Sequence, residues 1–201
     1  MKKRLPLLLL VLAMLVCLLP ACKPADPVGP SDDDKEGIPY AIIKIRDYGT
    51  IEVKLEPEIA PITVANFIKL AESGYYDGLS FHRIVNGFMM QGGWDLNGEK
   101  PPVDTIKGEF TANGVNNTIA HERGVISMAR AKDYNSASSQ FFICQVDCPS
   151  LDGDYAAFGR VTEGIEIVDA ICNTIPRGVD GTLKEEYRAW IDTVTIEYRA
   201  K

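Results

Sequence analysis

The order of hydrophobic and polar residues divides the chain into an apolar N-terminal run, a polar stretch and a longer region with strand-like alternation. Residues 5–21 are almost continuously apolar, whereas residues 23–37 are rich in Pro, Gly and Asp and have no apolar period. From Ile38 onward, short segments alternate hydrophobic and polar residues, a pattern that gives a β-strand one buried face. This division predicts that the folded domain begins at Ile38.

Eight segments of this domain have the pattern or composition of β-strands. The first two, residues 40–46 and 50–55, are separated by Asp47-Tyr48-Gly49 and predict a hairpin. The other six strands are predicted at residues 79–84, 88–91, 125–129, 141–146, 156–161 and 191–198.

Two helices are predicted between these strands. The first begins at Pro61 and ends at Gly74, because Pro favours the first helical turn and Gly the end of a helix. Its apolar residues recur at spacings of three and four, namely Val64, Phe67, Ile68 and Ala71. A second short helix is predicted over residues 164–171, and residues 93–120 predict a long loop of the kind that is commonly functional or mobile.

Eight strands with two helices indicate a mainly β domain. Either a closed antiparallel barrel or a sandwich would fit, and closure is the simplest way to remove exposed strand edges. The chain has 201 residues, of which 46% are hydrophobic and 24% charged, and this suits one globular domain.

Charge and cysteine content exclude several classes of function. Lys and Arg total 21 against 28 Asp and Glu, so the net charge is −7 and nucleic acid is not expected as a partner. The five cysteines and two histidines form no C-x-x-C pair or Cys/His cluster, so no metal site is predicted.

The N-terminus has the layout of a secretory signal peptide, in which basic residues precede an apolar run and small residues. A transmembrane anchor is the alternative, but the apolar run is at the short limit for a bilayer core of about 30 Å. The segment Leu19-Pro20-Ala21-Cys22 resembles the lipobox of bacterial lipoproteins, whose cysteine is lipidated and becomes the first residue of the mature protein. Cleavage after Ala21 by an ordinary signal peptidase is the competing interpretation.

These features predict three parts. Residues 1–21 would be a lipoprotein signal peptide, residues 22–37 a disordered tether that begins at lipidated Cys22, and residues 38–201 the folded domain. The expected location is the extracytoplasmic face of a cell membrane, with attachment through the lipid.

The sequence contains no hydrolase motif of the form G-x-S-x-G or H-E-x-x-H and no phosphate-binding glycine loop with lysine. The segment FHRIVNGFMMQGG, residues 81–93, places Arg83, Phe88, Met89 and Gln91 on two consecutive predicted strands. A hairpin would bring these side chains to one face. Taken alone, aromatic and Met residues on strands are usually part of the core, and a lone arginine is usually a solvated surface charge.

Four segments in order resemble the sequence blocks of the cyclophilin family. They are FHRIVNGFMMQGG (81–93), GVISMARA (124–131), SASSQFFICQ (136–145) and LDGDYAAFGRV (151–161). The resemblance extends over residues 40–198 and is strongest to bacterial cyclophilins. It implies a closed eight-stranded antiparallel β-barrel capped by two helices, a cofactor-free peptidyl-prolyl cis-trans isomerase, and a monomer whose substrates are proline-containing or unfolded exported proteins.

The chemistry explains which residues such an enzyme needs. Rotation about a peptide bond crosses a barrier of about 18–20 kcal/mol, because amide resonance is lost in the twisted state. No bond breaks, so the enzyme must bind the twisted amide more tightly than the planar one. By resemblance, Arg83 would be the catalytic residue, with its permanent charge near the prolyl nitrogen, where the lone pair localises.

The resemblance also implies a set of substrate-binding residues: Phe88, Met89, Gln91, Ala129, Gln140, Phe142, Leu151 and Tyr155. Among these, four would enclose the proline ring, namely Phe88, Met89, Phe142 and Leu151. Gln91 would bond to the substrate backbone, Ala129 would pair with the extended peptide, and Gln140 would help to orient Arg83.

Three positions depart from the better-known eukaryotic members. Tyr155 replaces His and keeps a ring with a polar tip, so substrate packing is expected to survive. Arg130 replaces Asn and either contacts substrate or is a surface charge. Ser150 replaces a Trp that donates a hydrogen bond to cyclosporin, so we expect weakened inhibition by that drug.

The remaining candidate residues have simpler explanations. His82 and His121 are interpreted as structural, because bond rotation needs no general base. Cys144, Cys148 and Cys172 would be buried thiols or would pair outside the cytoplasm. A tethered peptide-binding module without catalysis is the alternative function, and retention of Arg83 and the apolar residues around it favours the enzyme.

Overall fold

The computed structural model describes residues 36–176 and 179–200. The predicted signal peptide and Cys22 lie outside these residues, as does the predicted tether up to residue 35. Among the helices of the described ranges, none has the length and apolar character needed to cross a membrane.

Eight antiparallel strands form a closed barrel in the order β1-β2-β7-β5-β6-β4-β3-β8, with β8 returning to pair with β1. The strands are β1 (Ile38–Ile45), β2 (Gly49–Leu55), β3 (Ser80–Val85), β4 (Met89–Gly92), β5 (Val125–Met128), β6 (Phe141–Cys144), β7 (Ala157–Glu163) and β8 (Ala189–Arg199). The predicted mainly β class is confirmed, and of the two architectures the barrel is correct.

The first hairpin shows how the alternating pattern builds the barrel. The inward residues of β1 and β2 are fully or almost fully buried, namely Ala41, Ile43, Ile45, Ile51, Val53 and Leu55. Their polar neighbours point outward, as expected for strands with one buried face. The turn between the strands uses Asp47 and Gly49 at positive φ, which Gly and Asp tolerate better than most residues.

Two helices pack on the barrel, α1 (Pro61–Glu72) and α2 (Ile165–Cys172). Phe67 of α1 joins the aromatic core, with ring centroids 5.1–5.5 Å from those of Tyr76, Phe141 and Phe158. Helix α2 follows Gly164, whose φ is +82° and where an added Cβ would lie 2.5 Å from the Thr50 carbonyl oxygen. Glycine is therefore required at this tight approach to β2.

The predicted loop at residues 93–120 contributes to the core through a buried carboxylate. Glu109 is 3% exposed and accepts hydrogen bonds from the Ile62 N–H (3.1 Å), the Thr63 N–H (2.7 Å) and the Thr63 hydroxyl (2.7 Å). These donors lie in the first turn of α1, where backbone N–H groups lack partners within the helix. The loop thereby caps a helix that has no side-chain cap of its own at Ala60.

Strand β6 ends at Cys144, two residues earlier than the sequence predicts. The chain then turns, and the short 3-10 helix Pro149–Leu151 follows Cys148. The turn brings Cys144 and Cys148 into one buried cluster. Both are free thiols, as is Cys172, whose pKa burial raises to about 12.

Candidate active site

The site is built on the outer face of the barrel by side chains that alternate with core residues along the same strands. On β4, Met90 belongs to the interior core and Met89 to a separate cluster; on β6, Phe141 and Phe142 divide in the same way. We call this second group the outer cluster. Its buried members are Met89, Phe142, Cys144 and Cys148, with Val85, Phe88, Ala129, Leu151 and Tyr155 packed against them.

A β-bulge in β3 places Arg83 on this outer face. Phe81 pairs with Gly92 and Arg83 pairs with Gln91, so β3 has one extra residue, His82, between these positions. Strict alternation from the inward Phe81 would direct Arg83 into the core. The bulge shifts the alternation, and bulges commonly redirect a side chain beside an active site.

The outer cluster borders a cleft of about 230 Å³, which is smaller than the roughly 300–1,000 Å³ of typical sites for drug-sized ligands. Its lining residues are Arg83, Phe88, Met89, Gln91, Ala129, Arg130, Phe142, Leu151 and Tyr155. Eight of the nine catalytic and substrate-binding residues expected from the sequence are in this set. Gln140 is the exception, and Arg130 lines the cleft in addition.

Arg83 is held from two sides. Its Nε and Nη2 groups donate to Oδ1 and Oδ2 of Asp180 at 2.7 and 2.9 Å. Its Nη1 donates to Gln91 Oε1 at 3.3 Å and lies 3.9 Å from Met89 Sδ. The hydrogen bonds from Arg83 lower the pKa of Asp180, so the carboxylate is ionised at neutral pH.

Asp180 is a site residue that the sequence analysis missed. It lies 97 positions from Arg83, in a segment without a family block or a regular apolar period. No local pattern marks an aspartate that ion-pairs across the fold.

Gln140 does not line the cleft but contacts two residues that do, Gln91 and Ala129. Its side-chain Oε1 accepts a hydrogen bond from Gln91 Nε2 at 2.9 Å, and its backbone carbonyl accepts from the Ala129 N–H at 2.9 Å. Gln91 in turn accepts from Arg83. The contact expected between Gln140 and Arg83 is therefore indirect and passes through the Gln91 amide.

The floor of the cleft is supported by His121. The His121 ring stacks on Phe142, with centroids 6.0 Å apart and planes at 16°, and Tyr155 packs edge-on against the same Phe142. His121 Nδ1 lies 2.9 Å from Asp152 Oδ1, and Nε2 lies 3.0 Å from Ser127 Oγ. Burial lowers the pKa of His121, so the ring is neutral, donating to the carboxylate and accepting from the hydroxyl.

This Ser-His-Asp arrangement does not form a hydrolytic site. Ser127 is fully buried and His121 is 2% exposed, so the hydroxyl cannot reach a substrate carbonyl. The His121 ring is covered by Phe142. The arrangement agrees with a structural role for His121.

His82 is likewise enclosed. It is 2% exposed, packs edge-on against Trp94 with centroids 5.3 Å apart, and does not line the cleft. Its Nδ1 has no hydrogen-bond partner among the described residues. Burial lowers the pKa of His82 to about 4, so its ring is neutral.

Arg130 reaches the cleft from the end of β5. Its Cζ lies 5.1, 5.0 and 4.7 Å from the ring centroids of Phe110, Tyr134 and Tyr155. Nε donates to the Asp154 carbonyl at 2.9 Å and Nη1 to the Ala131 carbonyl at 3.0 Å. The side chain is half-buried and fixed by these contacts.

A small cleft with an apolar floor and a fixed arginine defines a site for a short apolar group next to a polar backbone. Such a site can bind and polarise a substrate without a nucleophile. Nowhere in the described ranges do three or more His, Cys, Asp or Glu side chains form a group that could hold a metal.

Residues 40–196 match the family described as cyclophilin type peptidyl-prolyl cis-trans isomerase/CLD. The chain belongs to the cyclophilin family of peptidyl-prolyl cis-trans isomerases.

Relatives and solved structures agree with this assignment. A peptidyl-prolyl cis-trans isomerase of Helicobacter pylori is 43% identical over 135 residues, covering 66% of this chain and 79% of its own. Peptidyl-prolyl cis-trans isomerase B of Bacillus subtilis is 46% identical over 131 residues, covering 64% and 87%. A Cryptosporidium parvum cyclophilin crystallised in the presence of the dipeptide Ala-Pro is 27% identical with a TM-score of 0.66, covering 80% of this chain and 99% of that one.

Proposed function

We propose that the cleft binds the proline of an Xaa-Pro segment and that Arg83 is the catalytic residue for rotation about the preceding peptide bond. The observation that carries this proposal is the position of the Arg83 guanidinium beside an apolar floor that contains Phe88, Met89 and Phe142. The floor would take the proline ring out of water. Arg83 would then face the bond that twists.

Catalysis would follow from differential binding. In the planar amide the nitrogen lone pair is delocalised, whereas in the twisted amide it becomes an acceptor. A donor at this nitrogen gains interaction only near the transition state, so it lowers the barrier without tightening ground-state binding. Arg83 suits this role because its charge is permanent and the Gln91 contact holds its Nη1 edge toward the cleft.

The test is isomerisation of an Xaa-Pro peptide, measured as exchange between cis and trans forms. We expect Arg83→Ala to lower kcat/KM by about 10²–10³, the range found when one pre-positioned transition-state donor is removed. Arg160→Ala is the matched control, because Arg160 is also a strand arginine in an ion pair, at 2.9 Å from Glu122, but lies outside the cleft. Full activity of Arg83→Ala would contradict the proposed site.

We also propose that the enzyme acts on exported proteins at the outer face of a bacterial membrane, tethered through lipidated Cys22. The basic, apolar and lipobox-like segments at residues 2–22 support this proposal, and the polar residues 23–37 would separate the domain from the membrane. Each buried methylene of an acyl chain contributes roughly 0.8 kcal/mol, so a lipid with two chains suffices for stable attachment.

Mass spectrometry of the mature protein tests the anchor. We expect an N-terminus at Cys22 with the added mass of the lipid, and we expect Cys22→Ser to leave the membrane fraction. An unmodified Cys22 in the mature wild-type protein would contradict lipid attachment while leaving the isomerase site untouched.

A further inference from the structure

We propose that Arg130 is a specificity-determining residue that binds the carboxylate of an Asp or Glu side chain next to the proline of the substrate. This inference rests on the proposed placement of the prolyl peptide in the cleft. It extends the proposed function by naming a class of preferred substrate, namely acidic segments around proline.

Arg130 is close enough to the proposed proline position to contact a neighbouring residue. It lines the same cleft as Arg83 and follows directly after Ala129, the residue expected to pair with the extended peptide. Its guanidinium lies against Tyr155, and Tyr155 packs on Phe142 in the floor. A peptide that places proline on Phe142 would therefore pass the Arg130 head group within one or two residues.

The Arg130 guanidinium is fixed in orientation, but several of its N–H groups do not donate to the carbonyls around it. The three aromatic rings and two backbone carbonyls that surround it restrict its orientation. These carbonyls engage two of the five N–H groups of the guanidinium, which leaves one on Nη1 and both on Nη2. A pre-oriented pair of N–H groups matches the two oxygens of a carboxylate.

Arg130 forms no ion pair with any acidic side chain that the structure describes. Arg83, Arg46, Arg123, Arg160 and Arg199 each form an ion pair. Within the described ranges, Arg130 and Arg188 are the arginines for which no ion pair is found. Among the residues that the structure describes, no acidic side chain lines the cleft, and Asp180 already pairs with Arg83. The cleft therefore presents net positive charge at Arg130 on a protein that is acidic overall.

A purely structural role makes a different prediction. If Arg130 served only to hold the Ala131 and Asp154 carbonyls, its removal would alter the local loops and affect all peptides alike. A recognition role requires that its removal affect acidic peptides selectively. The difference between matched peptides therefore separates the two roles.

The experiment compares C-terminally amidated Xaa-Pro peptides that carry Glu or Gln immediately before or immediately after proline. For the wild type we expect kcat/KM to be about three- to tenfold higher for Glu than for Gln at one of these positions, and we expect added salt to reduce the ratio. In Arg130→Gln the ratio should fall to about one, because the loss falls selectively on the Glu peptides. Arg130→Lys should keep part of the preference, because the charge remains without the fork geometry.

Arg188→Gln is the matched control, since Arg188 is half-buried, bonds a backbone carbonyl and is not in the cleft. Equal rates for Glu and Gln peptides in the wild type at both positions, or an unchanged ratio in Arg130→Gln, would overturn the proposal. A non-amidated Gln peptide tests whether Arg130 instead binds the C-terminal carboxylate of a peptide. A higher rate for this peptide alone, with no preference for the Glu side chain, would also overturn the proposal. Arg83→Ala distinguishes the two proposals, because its full activity on the Gln peptides would contradict the cleft itself.

Discussion

The two faces of β4 and β6 are almost equally buried, yet they serve different purposes. Phe141 on the inner face is fully buried, and Phe142 on the outer face is 4% exposed. Phe141 contacts three other core rings, those of Phe67, Tyr76 and Phe81. Phe142 is covered by His121 and Tyr155 and borders the cleft. Burial alone therefore does not distinguish a core from a binding floor, whereas the covering residues do.

The comparison predicts opposite outcomes for neighbouring substitutions. Phe141→Ala should lower the free energy of unfolding by about 3–5 kcal/mol, because it leaves a cavity inside a packed aromatic core. Phe142→Ala should cost less stability, since water can enter from the cleft, but should lower kcat/KM by about tenfold or more through loss of the floor. Urea unfolding and peptide isomerisation measure the two effects.

The control for this pair is the activity of the folded fraction of each variant. Phe141→Ala should approach wild-type kcat/KM once the unfolded fraction is taken into account. Equal destabilisation by both substitutions, with activity retained in Phe142→Ala, would remove the distinction between the two faces.

The β3 bulge that places Arg83 on the outer face contains a pH-sensitive residue, His82. The pKa of His82 is about 4 in the folded state and about 6.5 in an unfolded chain, because burial disfavours the charged ring. Between these values the unfolded state binds more protons, so stability is full above about pH 6.5 and falls as the pH decreases toward 4. The loss from this residue would be on the order of 2–3 kcal/mol, at about 1.4 kcal/mol per pH unit where it is steepest.

Urea unfolding at pH values from 4.5 to 7 tests this effect. His82→Gln cannot titrate and should show a flatter dependence, with the remaining slope due to His121, whose pKa is also lowered. Asp152 and Asp180 contribute mainly below this window, because their pKa values lie below the ordinary aspartate range. An identical slope in wild type and His82→Gln would show that His82 is not buried as the neutral form.

The cap on α1 stabilises the scaffold without reaching the cleft. Glu109→Gln keeps the shape of the side chain but turns one acceptor into a donor that faces backbone N–H groups. We expect a loss of about 1–3 kcal/mol in the free energy of unfolding, with kcat/KM unchanged. Glu99→Gln, at an exposed carboxylate of the same loop, should change stability by less than about 0.5 kcal/mol.

Local patterns predicted most of the fold, and a resemblance predicted the site. Alternation over residues 50–55 and the β-rich residues 40–46 predicted the first hairpin. Of the four apolar residues predicted to face the barrel from α1, Val64, Phe67 and Ala71 are buried and Ile68 is half-buried. Family blocks, not the apolar pattern, identified Arg83. Its outward position depends on a bulge, and a bulge interrupts the period from which strands are recognised.

The features that were missed are long-range polar contacts. Glu109 bonds to residues 46 and 47 positions away, and Asp180 pairs with a residue 97 positions away. Periodicity describes which face of an element is buried, but it does not describe which distant polar group meets that element. Such partners are brought together only by the tertiary structure of the closed barrel.

The smallest expected effect on activity comes from Asp180, which forms an ion pair with Arg83 on the outer face. Its carboxylate pairs with Arg83 Nε and Nη2 and so partly neutralises the guanidinium whose Nη1 edge faces the cleft, and its side chain is 57% exposed. An ion pair of this exposure contributes about 0.2–1 kcal/mol, so its effect on binding of the twisted amide should be of similar size. Asp180→Asn should therefore raise kcat/KM by about two- to fivefold, and added salt should raise the wild-type kcat/KM toward that of the variant.

Asp192→Asn is the control for this prediction. It breaks the exposed ion pair with Arg46 at 3.0 Å and should leave kcat/KM unchanged. A lower kcat/KM in Asp180→Asn would instead mean that the carboxylate orients Arg83 for catalysis, and the contact would then belong to the catalytic apparatus.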